Sequence, residues 1–325
     1  MIVVTGGAGF IGSALIAALN NRGTDDILVV DELGTDDRWK NLRNLSFADY
    51  VEKDDFLEMV LANKTPPGTK EVLHMGACTD TTETNASYLI SNNYEYTKLL
   101  AQWATSAGIR FIYASSAATY GDGSAGFSDD EQKIETLRPL NMYGYSKQLF
   151  DLWARRTGLL KKIAGLKYFN VFGPNEYHKG EMRSFAIKAF EQINARGSVG
   201  LFKSHNPKYT DGEYLRDFIY VKDAVDMTLF FLDNPAVGGL FNIGTGRART
   251  WNDLVKAVFA AMGKKPNIEY IEMPESIRNQ YQYFTQADIT KLRQAGYNKQ
   301  TSPLEDAIRD YVQNYLQKGQ YLEGS

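Results

Sequence analysis

Three residues of this chain could do acid–base chemistry together: Ser116, Tyr143 and Lys147. Tyr143 and Lys147 stand four apart in YGYSK, so on a helix they share one face. An ammonium beside a phenol stabilises phenolate and lowers its pKa from about 10. The pair therefore predicts a tyrosine proton acceptor assisted by a lysine. Ser116 ends FIYASS, 27 residues before Tyr143, where a strand end could aim its hydroxyl at the same substrate oxygen. The Tyr-x-x-x-Lys spacing alone is weak, since the chain has 20 tyrosines and a second copy, Tyr94 and Lys98. That copy lies inside a helical pattern with no serine-bearing strand end before it, and it reads as structural.

A second chemical feature is TGGAGFIG at residues 5–12. Gly7, Gly9 and Gly12 fit G-x-G-x-x-G, whereas Gly6, Gly9 and Gly12 fit G-x-x-G-x-x-G. Either way a strand, a glycine turn and a helix N-terminus offer free N–H groups to a diphosphate. Asp31 follows Gly12 by 19 residues, close to the spacing of an acid that binds the ribose of NAD. Glu32 adds negative charge, while Arg38 and Lys53 could meet the extra phosphate of NADP. The local pattern by itself leans towards NAD.

The elements that must position these residues alternate. Strand-like runs at 2–5, 27–30, 50–56, 71–76 and 110–116 alternate with helical patterns, clearest at 11–22 and 86–107. This predicts an α/β fold: a Rossmann doubly wound parallel sheet over residues 1–169, covered on both faces. Residues 165–174 read as a strand leaving the sheet. Residues 170–325 read mainly as a smaller, mixed α/β substrate-binding domain. Segments near 215–240 and 284–295 are expected to return to the first domain.

Bulk properties exclude several classes. With 36 basic and 39 acidic residues, a net charge of −3 gives no case for nucleic acid or an anionic membrane as partner. Cys78 is the single cysteine, so an internal disulfide is excluded and a reducing compartment fits. No apolar run approaches the roughly 20 residues of a membrane span, and MIVVTGG does not open like a signal peptide. The expectation is a soluble cytoplasmic protein. His74, His178 and His205 are dispersed, and no metal site is expected.

The order strand–TGGAGFIG–helix, YASSAATYG, YGYSK resembles the extended short-chain dehydrogenase/reductases that act on nucleotide sugars. That resemblance selects Gly6, Gly9 and Gly12 as the loop glycines and implies Ser116, Tyr143 and Lys147 as the catalytic triad. Ala117 and Ala118 stand where related dehydratases carry an acidic pair, which disfavours dehydration. HMGACTDTTE, SNNYEYTK, GPNEYHKGEM, LRDFIYVKD, FNIGTGRA and YQYFTQADI are similar to the ADP-glycero-manno-heptose 6-epimerases over nearly the whole chain. The resemblance implies epimerisation at C6 of the heptose, by transient oxidation and re-reduction, for lipopolysaccharide core biosynthesis. It implies bound NADP, with NAD possible, and a homo-oligomer.

Carried over by resemblance, cofactor contacts fall on Phe10, Ile11, Asp31, Glu32, Arg38, Lys53, Met75, Gly76, Ala77, Cys78, Thr79, Asn92, Lys147, Val171 and Lys179. Arg38 stands where the family has lysine, and a guanidinium still suits a phosphate. Lys179 also matches the family's second base. Substrate contacts fall on Ser116, Asn170, Glu181, Lys188, Phe202, Lys203, Ser204, His205, Arg216 and Tyr281, with Lys203 and Arg216 as diphosphate clamps. Two other readings compete: a 4-epimerase of UDP-galactose type, which would not need Lys179, and a cofactor-sensing binding protein.

Overall fold

The computed structural model describes residues 1–278 and 282–324. β1 (Ile2–Thr5), β2 (Ile27–Asp31), β3 (Asp49–Glu52), β4 (Glu71–His74), β5 (Arg110–Ser116) and β6 (Ala164–Tyr168) run parallel. β1 and β2 are apolar throughout or nearly so because they are buried on both faces, whereas β3 is a polar edge strand. Alternate residues serve opposite faces. Ile2, Val4, Ile27 and Val29 enter the apolar layer beneath helix α1 (Phe10–Asn20). Val3, Leu28 and Val30 enter the opposite layer with Phe56, Leu100 and Phe150.

The helices of that second layer are α2 (Lys53–Leu61), α3 (Ala86–Leu89), α4 (Tyr96–Ser106) and α5 (Met142–Arg156). Two expectations change here. The run at 50–56 is a strand only to Glu52. Asp54 and Asp55 fall in the first turn of α2, where acidic side chains favour a helix N-terminus. The pattern at 86–107 is interrupted by a π-helical turn, Ile90–Glu95, in which Asn93 is buried and Asn92 half-buried. Such turns widen a helix locally and concentrate at functional sites.

After β6 the chain leaves the sheet through β7 (Asn170–Phe172), helix α6 (Phe185–Arg196), β8 (Val199–Phe202) and β9 (Leu215–Arg216). β10 (Phe218–Tyr220) pairs with β7, and helix α7 (Val221–Asp233) packs on α1. β11 (Gly239–Ile243) then rejoins the main sheet beside β6. The seven strands lie in the order β11-β6-β5-β4-β1-β2-β3. β12 (Arg249–Thr250), helix α8 (Trp251–Ala261) and β13 (Ile268–Ile271) complete the outer layer, with β13 beside β8. Strand order reverses between β1 and β4, and in open α/β sheets such a reversal opens a crevice at the carboxyl ends.

Candidate active site

A cleft of about 900 Å³ opens at that reversal. Its floor is backbone. An added Cβ at Gly12 would overlap the Gly6 carbonyl, and one at Gly6 would lie 2.6 Å from the Gly76 nitrogen. Gly6 also holds φ at +65°, which side-chain-bearing residues rarely adopt. Gly7 faces the other way: its Cβ would strike Val29 Cγ1 at 2.8 Å, inside the core. Gly6, Gly9 and Gly12 line the cleft, and Gly7 packs behind it. Helix α1 begins at Phe10 with Gly9 as its cap and no side-chain hydrogen bond there. Its first amides and positive dipole end therefore face the cleft.

The acid at the end of β2 is held by backbone. Asp31 accepts from Ala8 N–H at 2.8 Å and Glu32 N–H at 2.7 Å, and burial pushes its pKa up. Arg38 approaches Asp31 at 3.6 Å but pairs mainly with Asp36, at 2.7 Å. Lys53 pairs with Asp54 at 2.9 Å and Glu32 at 3.4 Å. Asp31, Glu32, Arg38 and Lys53 all line one end of the cleft.

At the other end stand Ser116, Tyr143 and Lys147. The Ser116 hydroxyl accepts from Ala118 N–H at 3.1 Å as the sheet gives way to a 3-10 turn. Burial raises the Tyr143 phenol, and a hydrogen bond with Ser116 opposes that rise. This corrects the expectation of a phenol lowered by Lys147. Although the two share a helix face, Lys147 Nζ turns to the sheet and donates to the Ala114 carbonyl at 2.8 Å. Burial lowers Lys147 to about 8, against an opposing pull from Asp151. Tyr94 and Lys98 have no such setting: Lys98 pairs with Glu95 at 2.7 Å, outside the cleft lining.

Residues 2–244 match the NAD dependent epimerase/dehydratase family. The chain belongs to that family. A relative from Nitratidesulfovibrio vulgaris, named ADP-L-glycero-D-manno-heptose-6-epimerase, is 57% identical over 97% of this chain and 98% of its own. One of the same name from Fusobacterium nucleatum is 47% identical over 98% of each chain. The solved structure of the Helicobacter pylori ADP-L-glycero-D-manno-heptose-6-epimerase matches with a TM-score of 0.81 at 27% identity, covering 96% of this chain and 95% of that one. UDP-glucose 4-epimerase from Thermotoga maritima, solved with UDP-glucose, matches at 0.77 and 27%, covering 98% and 99%.

Within this member of the family, every residue assigned above to the cofactor lines the cleft: Met75, Gly76, Ala77, Cys78, Thr79, Asn92, Val171 and Lys179 join those already placed. Lys179 lies over the Phe10 ring at 5.3 Å, and burial lowers its pKa while Glu176 raises it. Of the substrate assignments, Ser116 and Asn170 line the cleft. The others stand elsewhere. Lys188 pairs with Glu181 at 3.0 Å, and Lys203 and His205 meet Glu272. Phe202 accepts the Tyr214 hydroxyl through its carbonyl, and Ser204 binds Asp211 through its amide. Arg216 is buried against Trp251, whose ring forms cleft wall, so it stands one ring behind the opening. Tyr281 lies outside the described residues.

Sequence reasoning missed the polar supports. Asn93 is buried and binds both the amide and the carbonyl of Cys78 at 2.9 Å, and Ser146 Oγ at 3.1 Å. Asp151 is fully buried and accepts from Tyr113, Ser115 and Lys167. Polar residues on otherwise apolar stripes were the available signals: Asn93 among Leu89, Tyr96 and Leu100, and Lys167 inside AGLKY.

Proposed function

We propose that the chain epimerises ADP-D-glycero-D-manno-heptose at C6 to ADP-L-glycero-D-manno-heptose, for lipopolysaccharide core biosynthesis. The carrying observation is Lys179. It lines the same cleft as Tyr143 but comes from a different element, the turn after β7. Inverting a carbinol through a ketone moves the oxygen, so a proton must be handled at two places. A UDP-sugar 4-epimerase reading leaves Lys179 without a task. The names of the relatives that are 57% and 47% identical support the same choice.

The cleft fits a nicotinamide dinucleotide: its floor has no side chains, a helix N-terminus faces it, and Asp31 ends β2. Held there by the α1 N-terminus and Asp31, such a cofactor would supply reversible hydride chemistry at the sugar carbon. The chain's own residues do the rest. Tyr143 exchanges the hydroxyl proton on one side, with Ser116 fixing the phenol oxygen. Lys179 exchanges it on the other; burial lowers its pKa, which eases proton exchange. Lys147 presents an ammonium from beneath. Ala117 and Ala118 supply no acid or base for water loss. Asp31 would meet the adenosine ribose, with Arg38 and Lys53 beside it. We assign NADP on those two cations, with NAD as the other outcome. Lys203 and Arg216 remain assigned to the substrate diphosphate, and Glu181, Lys188, Phe202, Ser204, His205 and Tyr281 to its surroundings. The protein is assigned to the cytoplasm as a homo-oligomer, and Leu140, Met142 and Tyr145 stand exposed at the start of α5.

Purified protein is tested with ADP-D-glycero-D-manno-heptose, with NMR of the product at C6. Conversion is expected. Turnover of UDP-galactose without turnover of the heptose would overturn the reading. Mass spectrometry of the released cofactor decides NADP against NAD.

A further inference from the structure

Two buried polar residues precede Lys179 and neither touches the reaction as described above. Glu176 is completely buried. Its Oε1 accepts from Gly173 N–H at 3.2 Å, Ser184 Oγ at 2.7 Å and the Tyr311 hydroxyl at 3.0 Å, while Oε2 accepts from Ser184 N–H. One carboxylate thus ties together both ends of the turn that presents Lys179. Asn175 anchors the same turn to its surroundings. Its Nδ2 donates to Ser13 Oγ of α1 at 3.0 Å, and its Oδ1 accepts from Leu322 N–H at 2.9 Å. Asn175 also holds a φ of +77° without being glycine. Conformations of that kind cost energy and persist only where surrounding bonds over-determine them.

We propose that Glu176 is the positioning residue of Lys179, clamping the ends of its turn so that the ammonium is held over Phe10 at the N-terminus of α1. The inference rests on the reading of Lys179 as the second proton carrier. Burying a carboxylate is costly unless it is bonded, and a surface turn needs none to close. The placement makes sense if the turn must present one side chain in one place. The charge has a second effect. Burial pushes the Glu176 carboxyl up, and its bonds from Ser184, the Lys179 charge and the Gly173 amide pull it back; the same carboxylate favours the Lys179 ammonium against burial. Other charges on the turn are matched: Glu181 by Lys188, and Arg183 by Glu191 at 2.5 Å. Across from it, Arg38 is paired with Asp36, and His178 is held neutral, lowered to about 4 by burial.

The test is Glu176→Gln in the full chain with its cofactor. The expected result is a kcat loss of about ten- to a hundredfold, as for a misplaced catalytic group, with KM within about twofold. Cofactor content stays at the wild-type level. Removing the negative charge disfavours the ammonium, so the limb of the pH profile set by Lys179 moves to lower pH. A wild-type kcat, or a kcat loss with that limb unmoved, would overturn the proposal. If Glu176→Gln does not fold, Tyr311→Phe loosens the same carboxylate from outside the cleft. A severalfold loss of kcat at unchanged KM is then expected, and wild-type kcat overturns the proposal. Lys179→Ala separates the two levels. Full epimerisation by Lys179→Ala sinks the reading of Lys179; an inactive Lys179→Ala beside a fully active Glu176→Gln sinks only the clamp.

Discussion

Tyr143 and Lys147 show how little a spacing says about a proton. The phenol is raised by burial and eased by Ser116, so its ionisation needs help that this arrangement does not draw from Lys147 directly. Tyr143→Phe removes the phenol that meets Ser116, and the other tyrosines among the described cleft residues, Tyr88, Tyr96 and Tyr168, stand on other elements. It should lower kcat by about 10²- to 10⁴-fold, the usual worth of a positioned acid–base group, with cofactor content unchanged. Full turnover would show that Tyr143 carries no proton. Lys147 gives the pH dependence. With its pKa lowered to about 8 from 10.5, the ammonium is lost as pH rises through about 8, and activity that needs it should fall over that range. Stability runs the other way. Between those two values the unfolded chain binds the proton more readily, so this lysine favours the fold increasingly as pH rises. Rates and thermal midpoints measured together from pH 7 to above pH 9 would separate the two effects. A rate that falls only together with the midpoint would refute the assignment.

At the scale of elements, β5, α5 and β6 meet over one buried ion pair. Lys167 and Asp151 lie 2.6 Å apart with essentially no exposure; Tyr113 and Ser115 also donate to Asp151, and Lys167 also donates to Thr119. Ser115 and Ser116 are adjacent, and Lys147 lies one helical turn before Asp151, so this pair underlies both the strand end that carries Ser116 and the helix that carries Tyr143 and Lys147. Lys167→Met leaves Asp151 buried with only two hydroxyl donors. Breaking one side of a buried pair costs about 3–5 kcal/mol, and denaturant unfolding should show a loss of that order. A loss under about 1 kcal/mol would mean that the pair does not hold these elements together. The elements themselves were readable in advance where periodicity is strong: β1, α1, β2 and β5 fall close to their expected places. The ends were not. Asp54 and Asp55 convert the expected strand at 50–56 into a helix start, and the π-helical turn at 90–95 has no pattern in polarity that a regular helix lacks. The glycine turn and the acid at the end of β2 were legible in local spacing, while the remaining residues of the cleft's cofactor wall, from Met75 to Lys179, were indicated only by resemblance. Its supports, Asn93, Asp151 and Glu176, depend on which distant segments meet, and local sequence does not carry that.

At the scale of the whole molecule, the question is whether residues 1–169 stand alone. Their last strand in the sheet, β6, is not an edge in the complete chain. β11 pairs with it from Gly239 to Ile243, and α7 packs on α1. Leu240, Phe241 and Ile243 are all buried. Burial of side chains of that size is worth about 1.5–3 kcal/mol each. Together they match a substantial part of the roughly 5–15 kcal/mol by which a typical fold is stable. Removing β11 also strips the ladder partners from β6 and leaves a long apolar edge, a template for aggregation. Asp217 extends the same dependence outward. It is buried between β9 and β10 and accepts from Thr245, Gly246 and Ala287, so one carboxylate joins β10, the loop after β11 and the segment near residue 287. A fragment of residues 1–169 should therefore fail to give a cooperative thermal transition and should bind no nicotinamide cofactor. The full chain should unfold in one step with its cofactor released in the same transition. Calorimetry of both, with cofactor fluorescence followed alongside, checks this directly. A folded, cofactor-binding fragment would show that the first six strands suffice and that β11 only caps them.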